Sequence, residues 1–170
     1  FDVTAATIAS LHKQGARVIC YINAGSWEDW RSDKTSFPES ILGNDYEGWE
    51  GERWLDIKSA ALKPIMRKRF DLAKSKGCDA IDPDNIDGYE NDTGFSISKT
   101  DQVAYNLWLA TEAHKRSMSI GLKNGIEMIA SLVGAFDWAL IEDCADQDWC
   151  ADFRPFTARG KAVLQVEYTD

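Results

Sequence analysis

The sequence contains no apolar run approaching the roughly 20 residues that a membrane-spanning helix needs, so no span is expected. Basic residues are in deficit: 19 Lys and Arg stand against 28 Asp and Glu, a formal net charge of −9. Nucleic-acid phosphates are gripped by basic patches, and this deficit argues against such a partner. Histidine is scarce too, and both copies, His12 and His114, fall in helical stretches. No C-x-x-C pair accompanies them, so no zinc site is expected. Low-complexity tracts and linkers are missing, which leaves 1–170 as a single domain. Apolar residues make up 44%, with seven Trp, enough to build a core and to argue against disorder.

Cysteine is sparse but present at four positions. Cys20 and Cys78 lie in or beside apolar strands and read as small buried hydrophobes. Cys144 and Cys150 flank a short acidic loop and are candidates for a small disulfide ring, which spacing neither requires nor excludes. Asn91-Asp92-Thr93 is a glycosylation sequon and favours a secreted chain. No signal segment accompanies it, so the sequence reads as an excerpt of a longer one.

Strand alternates with helix throughout. A helix is expected over Thr4–Gln14, stopped by Gly15, and a strand over Arg17–Ile22. A polar, Trp-bearing loop, with part of it open to helix, runs from Asn23 to Glu52, followed by a strand at Arg53–Ile57. The next helix, Ser59–Lys76, ends at Gly77 and carries Pro64 near its first turn. Strand Asp79–Asp82 then runs into Pro83, expected to end its hydrogen-bond ladder. Ser98 or Thr100 caps a helix reaching Arg116. After it come strand Ser119–Lys123, helix Ile126–Leu132 and strand Phe136–Ile141. A short helical segment broken by Pro155 leads to the last strand, Lys161–Tyr168.

This order predicts parallel strands with right-handed crossovers. An open doubly wound sheet and a (β/α)8 TIM barrel both fit, and side-chain parity favours the barrel. One parity holds Leu55, Ile81, Ile120 and Leu122. The other holds Tyr21, Asn23, Asp56, Asp82, Asp84, Lys123 and Glu167, which suits a polar barrel mouth. Six strands are visible where a barrel takes eight, so the first and last strands are expected to lie outside the excerpt.

Strand-end acids suggest chemistry, because unpaired Asp is seldom buried. Asp84 and Glu142 end alternate strands and are candidates for the carboxylate pair that cleaves a glycosidic bond. The plainer reading is helix capping or pairing with Lys123 or an Arg. Trp27, Trp30, Trp49, Trp54 and Tyr89 sit in strand-end loops where rings stack on sugars, although as a set they also suit a satellite core. Lys123 admits Schiff-base chemistry, and Asp82, Asp84 and Glu142 together admit Mg²⁺. A carbohydrate-binding barrel without hydrolysis is a further alternative.

Several motifs resemble glycoside hydrolase family 114. They are Cys20-Tyr21-Ile22-Asn23-Ala24-Gly25-Ser26 with Glu28-Asp29-Trp30-Arg31, then Gly51-Glu52-Arg53-Trp54-Leu55-Asp56. Lys76-Gly77-Cys78-Asp79 leading to Asp82-Pro83-Asp84-Asn85, Gly121-Leu122-Lys123-Asn124 and Glu167-Tyr168 complete the set. The resemblance implies a (β/α)8 barrel, a secreted endo-α-1,4-polygalactosaminidase, no cofactor and no metal. It implies Asp84, on the fourth barrel strand, and Glu142, on the sixth, as the catalytic acids. Tyr21, Asp56, Asp82, Asn85, Lys123, Asn124, Glu167 and Tyr168 follow as substrate-binding candidates. A monomer acting on a polycationic polysaccharide is expected, with Asp82, Asp87, Glu90 and Glu167 pairing with substrate ammonium groups. Asp143 departs from the family pattern, and its charge is expected to raise the Glu142 pKa.

Overall fold

A computed structural model of the chain describes residues 3–168. Five parallel strands form the main sheet: β1 (Ile19–Asn23), β5 (Ala80–Asp84), β6 (Ser119–Lys123), β7 (Trp138–Glu142) and β8 (Val163–Val166), adjacent in that order. A second, three-stranded antiparallel sheet follows β1 in the chain. It comprises β2 (Ser26–Glu28), β3 (Leu42–Asp45) and β4 (Glu52–Leu55), with β4 in the middle. Helix α1 (Ala5–Lys13) precedes β1, and α2 (Leu62–Lys76), α3 (Lys99–Lys115), α4 (Ile129–Leu132) and α5 (Arg154–Thr157) supply the crossovers. The fold is the α/β arrangement of a (β/α)8 barrel. Among the described residues five of its parallel strands are present, with β1 and β8 at the ends.

The helices form where capping and periodicity direct. The Thr4 hydroxyl accepts from Thr7 N at the head of α1. Ser98 and Asp101 make a reciprocal capping box on α3. Gly77 closes α2 at φ 97°, where a side chain would be strained. Leu62, Met66 and Phe70 of α2 and Leu109 and Ala113 of α3 join Ile22, Ile81, Ile120, Leu122, Ala139 and Ile141 in one core. That leaves the opposite strand parity for the interior, as alternation along a strand requires. At the other end of the sheet, Asp79 and Asp137 precede β5 and β7. They accept from His12 (2.7 Å) and His114 (2.8 Å), so both histidines tie helices to strand starts.

Four expectations are corrected. Arg53–Ile57 is not a strand of the parallel sheet: β4 pairs antiparallel with β2 and β3. The Asn23–Glu52 stretch is helical in part, at the 3-10 turns Lys34–Ser36 and Glu39–Ile41, but it also carries the two strands β2 and β3. Pro83 does not end its strand. The β6 ladder stops at Ile81, but the β1 ladder continues through Ile22–Pro83 to Asn23–Asp84. Proline lacks an N–H yet still offers a carbonyl, so it can interrupt one side only. Cys20 and Cys78 are buried, but as a disulfide rather than as free thiols. Parallel pairing of β1 with β5 brings them together across 58 residues, a proximity that linear spacing hides. Cys144 and Cys150 form the second disulfide.

Candidate active site

The site is built from the C-terminal ends of β1, β5, β6 and β7. The last residues of the three later strands are Asp84, Lys123 and Glu142. Each is followed by a residue in the left-handed region: Asn85 (φ 57°), Asn124 (φ 45°) and Asp143 (φ 53°). Asn and Asp tolerate this conformation best among residues with a Cβ, so the chain turns at the rim directly after each functional side chain. Gly25, after β1, is required by closeness: a Cβ there would lie 1.5 Å from the Asn85 carbonyl oxygen.

The Lys123 ammonium is the centre of the charge arrangement. It lies 3.0 Å from Glu142 Oε1, 3.8 Å from Asp84 Oδ1 and 3.8 Å from Asp82 Oδ2. Tyr21 donates to Asp84 Oδ2 at 2.9 Å, and Tyr168 donates to Glu142 Oε1 at 2.7 Å. Asn124 braces Glu142 twice, donating to Oε2 (3.1 Å) and accepting from its backbone N–H (3.0 Å). Burial pushes Glu142 up, but hydrogen bonds from Tyr168, Lys123 and Asn124 and the lysine charge outweigh it. Its pKa is therefore lowered. This corrects the expected rise, because those donors and the lysine charge prevail, while the Asp143 carboxylate accepts from Tyr168 N at 3.0 Å. For Lys123, burial opposes the charge, yet Asp84, Asp82 and Glu142 raise its pKa. Three carboxylates that favour the charged amine make Lys123 a poor Schiff-base nucleophile. It also occupies the position between three carboxylates that a Mg²⁺ ion would need.

These groups open into a cavity of about 720 Å³. Its wall carries Trp30 and Trp49, both largely exposed, with Tyr21 and Tyr46. The acid Asp87 also lines it, raised to about 6 by burial first and then by Asp84 and Glu90. The antiparallel sheet contributes Glu28 and Glu52. Arg31 clasps Glu28 with two bonds of 2.7 and 2.8 Å, whereas Glu52 accepts from Ser26 Oγ (2.7 Å) and Asn23 Nδ2 (3.2 Å). Asn85 donates to both Asn23 Oδ1 and Ser26 Oγ, linking that network to the β5 rim.

The expected residues divide clearly. Tyr21, Asp84, Asn85, Lys123, Asn124, Glu142 and Tyr168 share the cavity wall. Asp82 is buried behind it, with one carboxylate oxygen lacking a hydrogen-bond partner, and burial first of all raises its pKa to about 6. Asp56 follows β4 and lies outside the wall, where it accepts from Lys58 N. Glu167 is also outside, accepting from Ala145 N and Gln165. Glu90 is held by Tyr89, and neither joins the wall. Trp27 turns to the Lys34 carbonyl and Trp54 packs under Tyr46 (4.6 Å between centroids). Glu28, Tyr46 and Glu52 went unread as site residues. The family-like motifs Glu28-Asp29-Trp30-Arg31 and Gly51-Glu52-Arg53 carry the sequence signal for Glu28 and Glu52.

The sequence profile of glycoside-hydrolase family GH114 matches residues 1–170. The chain belongs to family GH114. Among solved structures it is similar to Aspergillus fumigatus Ega3, crystallised with galactosamine. Identity is 45% and the TM-score 0.95, covering 97% of this chain and 66% of Ega3. The chain thus spans just under two-thirds of that relative's length. The glycoside hydrolase domain of PelA from Pseudomonas aeruginosa shares the fold, with a TM-score of 0.73 at 15% identity, covering 98% of this chain and 73% of that one. No curated protein matches the chain. Within this GH114 chain, no described helix is long and apolar enough to cross a membrane.

Proposed function

We propose that this GH114 chain is a secreted, endo-acting hydrolase of α-1,4-linked galactosamine polysaccharide, with Asp84 and Glu142 as its working carboxylates. The observation that carries this reading is their convergence from separate strands on one ammonium, in an open, aromatic-walled cleft. Galactosamine in the Ega3 crystal supports the sugar. Acids outnumber cations on the cavity wall, which suits a substrate carrying ammonium groups. Two disulfides fit an oxidising compartment, hence secretion.

Both carboxylates reach Lys123, so their facing oxygens are at most about 7 Å apart. That bound covers the retaining spacing of about 5–5.5 Å and only the lower edge of the inverting range. In the retaining course Asp84 attacks the anomeric carbon as the glycosidic C–O bond breaks, and Glu142 gives its proton to the leaving oxygen. Water then adds at the anomeric carbon, releasing Asp84 and returning a proton to Glu142. Bonds from Tyr168, Lys123 and Asn124 favour the ionised form of Glu142. A sugar ring over it excludes water and pushes its pKa up, which readies it to donate.

Product analysis on deacetylated α-1,4-galactosamine polymer tests this reading. The expected result is an early ladder of mid-length oligosaccharides. Release of monosaccharide alone would contradict endo action, and an unchanged polymer would contradict hydrolysis.

A further inference from the structure

Glu52 is 7% exposed, lines the catalytic cleft, and has no cation paired with it among the described residues. The neighbouring cations are committed elsewhere. Arg31 clasps Glu28, Arg69 clasps Asp33 with bonds of 2.7 and 2.9 Å, and Lys123 serves Asp82, Asp84 and Glu142. Among the described residues Ser26 and Asn23 donate to the Glu52 carboxylate, both on Oε2, and none donates to Oε1. One oxygen is thus fixed by a neutral network and the other is left for the cleft.

A buried carboxylate without a counter-cation is costly to maintain unless something compensates for the lost hydration. Hydrogen bonds from two neutral groups compensate in part, and burial still raises the Glu52 pKa. The geometry points to Glu52 as the specificity residue that receives the ammonium of a 2-amino sugar on Oε1. The idea deepens the proposed function and rests on it for the choice of galactosamine. It replaces Glu90 and Glu167 as ammonium partners, since both lie off the wall. Glu28 is less suited because Arg31 already neutralises it. Asp87 faces the cleft, but no side chain among the described residues donates to its carboxylate. Ser26 and Asn23 give Glu52 a fixed orientation, and a fixed acceptor discriminates between ligands better than a mobile one.

The test is calorimetric binding of galactosamine and of galactose to the full chain, wild type and Glu52→Gln. Galactose keeps every hydroxyl but offers no ammonium at C2, so the ratio of the two dissociation constants isolates the charge. The wild type is expected to favour galactosamine by about tenfold or more, and Glu52→Gln to collapse that ratio towards one. An unchanged ratio in the variant, or no preference in the wild type, overturns the assignment. A crystal structure of the wild type with a galactosamine oligomer serves independently of how the variant folds. Ammonium on Glu52 Oε1 supports the assignment, and ammonium on Asp87 or Glu28 instead overturns it. Binding preference does not depend on turnover. A chain that binds galactosamine selectively but leaves the polymer intact refutes the hydrolase reading and not this one.

Discussion

At Glu142 a lysine, a tyrosine and an asparagine donate to one carboxylate, and at Asp84 a tyrosine donates while the same lysine stands further off. The two acids therefore occupy different surroundings, as an acid–nucleophile division of labour needs. Asp82 is the unusual member, because it is buried, lacks one partner and is raised to about 6. Below about pH 4 it is protonated in both folded and unfolded chains and costs nothing. Between about 4 and 6 the unfolded chain gives up that proton while the folded chain keeps it, so stability falls as pH rises. Above 6 the full penalty remains. Asp82→Asn should remove this slope, on the order of 2–3 kcal/mol across the window. Thermal unfolding from pH 4 to 8 checks it: the melting temperature of the variant relative to wild type should climb with pH. A difference that stays flat would show that Asp82 does not titrate there.

The elements differ in how far the sequence reveals them. Helices α1, α2 and α3 were legible because their caps and stops, Thr4, Gly77 and the Ser98–Asp101 box, act within a few residues. Strand β4 was legible as a strand but not as an antiparallel one, since alternation records which face is buried and not which neighbour pairs. The Cys20–Cys78 bond was invisible for the same reason, being a product of β1–β5 pairing. Closing a loop of 58 residues, it should stabilise the fold by about 4 kcal/mol, against about 2 for the six-residue Cys144–Cys150 ring. Paired Cys→Ser replacements followed by urea titration should therefore cost more for the first bridge than for the second. Equal losses would count against this entropic ranking.

For the molecule as a whole, the acidic balance and the strand-end acids pointed correctly to a polar rim. Tyr21, Asp84 and Lys123 of the rim follow from side-chain parity, whereas Glu142 does not, because Leu140 shares its parity. What escaped was the contribution of the antiparallel sheet. Glu28, Tyr46 and Glu52 reach the cleft through a tertiary fold-back that no local pattern encodes. The central claim is that two carboxylates facing one lysine cleave a sugar linkage. Its most direct test is the rate at which new reducing ends appear from deacetylated α-1,4-galactosamine oligomers, compared among wild type, Asp84→Asn and Glu142→Gln at equal folded concentration. Each substitution should lower turnover about a thousandfold, and near-wild-type turnover in either folded variant would contradict the account.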